Sequence, residues 1–68
     1  MDVRATLRVL DEVRAAVSEK GVFACRISEE GLLTVCLGEK TFEANYKSYT
    51  PGNAWILRSE IKTNLGLS

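Results

Sequence analysis

Cys25 and Cys36 are the only thiols in this sequence, and no histidine stands anywhere in its 68 residues to accompany them. A cysteine or serine nucleophile is ordinarily activated by a neighbouring imidazole, and the same absence removes the commonest general base. Two cysteines without histidine also make a poor zinc site, because structural zinc takes four ligands drawn largely from Cys and His. Catalysis would have to rest on carboxylates, lysine or cysteine, and the acidic residues fall mainly in expected turns or on the polar side of a helix. The chain therefore reads as non-catalytic, without cofactor or metal.

The remaining chemistry is that of recognition. Trp55 and Ile56 adjoin Leu57. If their segment is a helix, both point away from the apolar stripe of that helix and form an apolar patch on the surface. Tryptophan is enriched among the residues that dominate binding energy, so this pair is the first candidate for contact with a partner. Tyr49 is the third anchor, and Arg26 and Lys47 are orienting charges expected on the outer face of a sheet. Glu29-Glu30 and Glu39-Lys40 read as solvated turn charges, and Arg4 and Arg8 as a solvated helix face offset by Asp11 and Glu12.

These side chains have to be positioned by regular elements, and the first is plain. Val3, Leu7, Leu10, Val13 and Val17 recur at steps of three and four, which predicts a helix over Val3 to Val17 with that stripe on the core. Asp2 suits its N-cap. Gly21 after Lys20 marks its end, with Val22 closing against Val17.

Two alternating segments follow, Val22 to Ser28 and Leu32 to Gly38, separated by the loop Glu29-Glu30-Gly31. Pairing Ser28 with Leu32 sets Ile27 opposite Leu33, Cys25 opposite Val35 and Phe23 opposite Leu37, gathering six apolar side chains on one face. That register sends Cys25 and Cys36 to opposite faces, so no disulfide is expected. A third strand over Thr41 to Tyr49 adds Phe42, Ala44 and Tyr46 to the inner face after a turn at Gly38-Glu39 or Glu39-Lys40. The outer face is expected to carry Ala24, Arg26, Thr34, Cys36, Glu43, Asn45, Lys47 and Tyr49.

Past Thr50-Pro51-Gly52-Asn53 two readings compete. A helix capped by Asn53 puts Ala54, Leu57, Ile61 and Leu65 on one stripe and ends at Gly66-Leu67. A fourth strand would instead send Trp55, Leu57 and Ile61 to the core, but an L-Pro-Gly turn twists the wrong way for a tight hairpin. The favoured fold is α+β, a helix on a three-stranded antiparallel meander followed by a C-terminal helix (αβββα). The alternative is a helix with a four-stranded antiparallel sheet (αββββ).

Residues 1–68 read as one small domain, with no room for a second. A core of this size is thin, and self-association is one remedy. Nine basic and nine acidic residues cancel, without a run of either sign, so charge names no partner. No apolar stretch approaches the ~18 residues that span a bilayer, and the N-terminus lacks the pattern of a secretory signal, so cytoplasmic residence is expected.

The order helix, three strands, helix resembles that of double-stranded-RNA-binding domains, which implies contacts to phosphates and 2′-hydroxyls of duplex RNA. That binding needs clustered lysines where the last helix begins, and Asn53-Ala54-Trp55-Ile56-Leu57-Arg58 stands there instead. The preferred expectation is a protein-binding module, acting on a protein partner or as a homodimer. Small inhibitors, regulators and assembly factors, phage-encoded ones included, are of this kind, and nucleic-acid binding is the alternative.

Overall fold

Asp2 starts the first helix as its composition suggests. In the computed structural model, which describes residues 1–17 and 21–67, the Asp2 carboxylate accepts the Ala5 N–H at 2.8 Å, and its carbonyl accepts the Thr6 N–H and hydroxyl. Helix α1 runs Val3–Val17. The expected helix end at Lys20 lies outside the described residues, and Val22, expected to close against Val17, is exposed.

The buried side of α1 is Thr6, Val9, Leu10, Val13 and Val17, whereas Val3 and Leu7 are 40 % and 46 % exposed. This corrects the expected stripe. Steps averaging 3.5 residues drift from a 3.6-residue helix by about 20° every seven residues, so the stripe swings by about 40° between Val17 and Val3. The second helix packs beside α1 and covers the flank that carries Val9, leaving Val3 and Leu7 on the other. Thr6 is buried at no polar cost because its hydroxyl is satisfied by Asp2.

Strands β1 (Phe23–Ile27), β2 (Leu32–Leu37) and β3 (Lys40–Asn45) form an antiparallel meander with β2 in the centre. The first hairpin has the register that alternation demands: Ile27 faces Leu33, Cys25 faces Val35 and Phe23 faces Leu37. Ser28 closes it through its N–H to the Leu32 carbonyl at 2.9 Å, while its hydroxyl accepts the Leu32 N–H at 3.0 Å. Gly31 has φ +118° in that loop, and a Cβ there would lie 2.7 Å from Asn45 Oδ1, so the position needs glycine twice over. The second turn is Gly38-Glu39, with Leu37 paired to Lys40.

β3 stops at Asn45 rather than continuing to Tyr49. The Asn45 side chain accepts the Lys47 N–H at 2.9 Å, which turns the backbone into the 3₁₀ segment Tyr46–Ser48. At the same level β2 gives way to the hairpin loop, whose Gly31 carbonyl takes the Tyr46 N–H as the last ladder bond. Tyr46 still points inward, as its parity requires. It is buried and donates its hydroxyl to the Ser28 carbonyl at 2.6 Å.

Pro51–Asn53 forms a second 3₁₀ turn, and helix α2 spans Ala54–Asn64, so the fourth-strand alternative does not occur. Asn53 is the N-cap residue of α2, as expected, but its side chain makes no cap bond to that helix: its Oδ1 accepts the Thr50 N–H at 2.7 Å, one turn earlier. Leu57, Ile61 and Leu65 are buried with Ala54 partly so, the stripe the spacing predicts. The far end is a Schellman motif, with the Leu67 N–H on the Lys62 carbonyl at 2.8 Å, the Gly66 N–H on Thr63, and Gly66 at φ +72°. Both helices pack on the inner sheet face, α1 against β1 and α2 against β3, giving αβββα. No helix among the described residues is long and apolar enough to cross a membrane.

Candidate partner-binding surface

Trp55 sits in the first turn of α2, two residues before buried Leu57 and therefore well off the core line, and it is 61 % exposed. Ile56, its neighbour, is half-buried and lies about 100° further round the helix. The two residues thus diverge on either side of the solvent-facing line rather than forming one flat patch. Arg58, one turn after Trp55, is on the flank nearer α1 and pairs with Glu12 there. This exposed pair is worth about 0–1 kcal/mol, and it draws Glu12 away from the arginines of its own helix.

A shallow groove separates the N-terminal halves of the two helices, lined by Ala5, Arg8 and Val9 of α1 and by Pro51, Ala54 and Arg58. Trp55 is not among the lining residues: at 100° per residue it lies about 60° round α2 from Arg58 and about 100° from Ala54, on the solvent side of the groove. Burying an aromatic ring of this kind against a partner removes about 150–250 Å² of surface, enough to dominate a small interface.

Tyr49 belongs to the scaffold more than to the open surface. It is half-buried against the core, its hydroxyl donates to Glu60 Oε2 at 2.6 Å, and its carbonyl accepts the N-terminal ammonium of Met1. The hydroxyl's hydrogen bond to Glu60, partial burial and the nearby carboxylate charge together push the phenol up to about 12. Its ring therefore pins the link between β3 and α2 onto the second helix.

Arg26 is exposed on the outer sheet face as expected, beside a shallow depression floored by Ala24, Thr34 and Cys36. Lys47 and Tyr49, expected on that same face, are not part of it, because β3 has already ended. Lys47 is exposed in the first 3₁₀ turn, its Cδ close to Gly31. The five candidate residues are thus divided. Trp55 and Ile56 stand on α2 with Tyr49 beside it, Arg26 lies on the opposite layer, and Lys47 is near the first hairpin tip.

The two cysteines are free, half-buried and on opposite faces. Cys25 Sγ lies 3.9 Å from Arg14 Nη2 and Cys36 Sγ 3.8 Å from Thr41 Oγ1, both weak contacts. Sequence reasoning missed the exposure of Val3, Leu7 and Leu32. The drift of the α1 stripe signals that Val3 and Leu7 part from Val17, but not which end of the stripe is covered. Leu32 has parity opposite to buried Leu33, which already assigns it to the outer face.

Fold and surface together define a small αβββα protein with a tryptophan-bearing helix turned to solvent. No protein-family model, curated protein or solved structure matches the chain.

Proposed function

We propose that this chain is a small, non-catalytic, cytoplasmic protein-binding module, an inhibitor, regulator or assembly factor, that docks on a protein partner through Trp55. The observation that carries this reading is the exposed indole of Trp55 in the first turn of α2. An indole in solvent contributes little to its own fold, whereas in a partner's pocket it is the kind of anchor that dominates an interface. Arg8, and Arg58 with its Glu12 partner, line the groove between the two helices and supply hydrogen-bond donors for orientation. Ile56 extends the contact on the far side of Trp55, while Tyr49 holds the helix in place from behind.

The test is capture from a lysate of the native cell by wild-type chain and by Trp55→Ala, each with and without nuclease. Supporting the reading requires a stoichiometric protein that survives nuclease and is lost with Trp55→Ala while the variant stays folded at the assay temperature, its melting temperature lowered by no more than about 4–8 °C. Equal capture by both chains refutes the role of Trp55. Capture that vanishes on nuclease treatment, and falls steeply with salt, would replace it with nucleic-acid binding.

A further inference from the structure

We propose that the chain pairs with a second copy of itself along the free edge of β1, the two strands running antiparallel about a two-fold axis at Cys25. This edge is separate from the Trp55 surface, and the parity of its backbone sets which groups are free. The Ser28 N–H bonds to the Leu32 carbonyl, and the Gly38 N–H to the Val22 carbonyl. Even-numbered residues of this strand therefore turn their polar groups to β2. By alternation, the N–H and C=O groups of Phe23, Cys25 and Ile27 face outward, where no described strand pairs with them.

The side chains of those same three residues lie on the inner face and are half-buried, while Leu33 and Val35 of the adjoining strand are fully buried. The inner residues of β3, Phe42 and Ala44, are half-buried as well, so the two edges differ not in burial but in what flanks their outward backbone groups. Tyr46 bonds to Gly31, so the outward groups of β3 belong to Thr41, Glu43 and Asn45, whose exposed polar side chains guard the edge.

A second copy fits because the strand is complementary to itself. Phe-Ala-Cys-Arg-Ile turned about Cys25 sets Phe23 opposite Ile27 of the second copy, Cys25 opposite Cys25, and Ala24 opposite Arg26. All three inner pairs are apolar or thiol, and no charge meets its like across the strands. A shift that centres the axis on Arg26 brings two guanidinium groups together, and one centred on Ala24 leaves Ile27 without a partner. The flank of α1 continues the surface: Arg14 lies 5.3 Å over the Phe23 ring, and Val3 and Leu7 stand exposed at the N-terminal end of that helix. The two Arg14 groups approach the axis and weaken the contact. With a five-residue strand, this puts the dimer among small interfaces below about 1,200 Å², with Kd between about 1 μM and 1 mM.

Sedimentation of the full chain under reducing conditions, from the micromolar range to about 1 mM, tests this. The expected result is a weight-average mass rising from 7.5 kDa toward twice that value. A short thiol–thiol cross-linker then identifies the edge. Paired as proposed, the Cys25 α-carbons are about 5.5 Å apart, whereas the two β2 strands that carry Cys36 are separated by three strand spacings, about 14 Å. Cys36→Ser is expected to be trapped as a covalent dimer and Cys25→Ser is not, and Trp55→Ala is expected to sediment as wild type does. A mass that stays at 7.5 kDa up to about 1 mM, cross-linking that survives Cys25→Ser, or a dimer lost with Trp55→Ala would each overturn the proposal.

Discussion

Replacing Trp55 by alanine separates a binding residue from a core residue, and the structure sets the size of the effect. With the residue 61 % exposed, folding removes only the remaining 39 % of its surface from water. For a ring that offers about 250 Å² this is about 100 Å², or about 2.5 kcal/mol at 25 cal/mol/Å², an upper value because the unfolded chain is itself partly collapsed. Alanine keeps the β-carbon and is the better helix former by up to about 0.7 kcal/mol, so the expected net loss is about 1 kcal/mol. Leu57, two residues on, is fully buried, and its replacement by alanine should cost about 2–5 kcal/mol. The assay is urea or thermal unfolding followed by far-ultraviolet circular dichroism, with both variants beside wild type. For a domain of this size, about 1 kcal/mol lowers Tm by about 4–8 °C. Leu57→Ala should lower it by more than twice as much or abolish folding. Equal destabilisation by the two variants would refute the argument, since it would mean that the indole is part of the core. In the unaltered chain Trp55 is the only tryptophan, so its fluorescence should resemble that of the free amino acid and shift to the blue when a partner covers it.

Three other perturbations follow from single contacts. Tyr46→Phe removes the hydroxyl that reaches the Ser28 carbonyl at 2.6 Å, but that carbonyl keeps the Gly31 N–H. The expected loss is about 1 kcal/mol by urea unfolding, and no loss would mean the bond carries nothing. Gly31→Ala forces an alanine to φ +118° with its β-carbon against Asn45 Oδ1, so about 1–3 kcal/mol should be lost and the Lys47 turn loosened. Tyr49 titrates at about 12 in the folded chain against about 10 unfolded. Because the folded value is the higher, its contribution to stability is complete below about pH 10 and fades as pH rises through about 12. Phenolate absorbance should show this late titration in wild type and an earlier one in Glu60→Gln; identical curves would dismiss the Glu60 bond as its cause.

The two surfaces proposed for interaction lie on different parts of the fold. Trp55 projects from the α2 side of the helical layer, and the β1 edge closes the opposite flank beside α1. A chain paired along β1 would therefore leave both copies of Trp55 accessible. Two indoles on one dimer raise the effective concentration of the second binding event when a partner is itself paired. This arrangement suits an assembly factor at least as well as an inhibitor.

Much of the architecture follows from residues close together in the chain. Asp2 caps α1, Ser28 to Leu32 sets the first hairpin and its register, and Gly66 with Leu67 ends α2. Each depends on local hydrogen bonds or on the two-residue alternation of a strand, which sequence alone specifies. Other features required the assembled structure. Val3 and Leu7 belong to the same periodic stripe as Val13, yet only the docking of α2 decided which side of α1 would be covered. The end of β3 was decided by the exhaustion of its β2 partner together with the turn made by Asn45, so Lys47 and Tyr49 left a face that alternation alone would have given them. Residues 54–64 satisfied helix and strand periods alike, and the packing of Leu57, Ile61 and Leu65 against α1 and the sheet selected the helix and turned Trp55 outward. Short-range order was written in neighbouring side chains, whereas the choice of which apolar side meets the core, and hence which remains open to a partner, depended on elements distant in sequence.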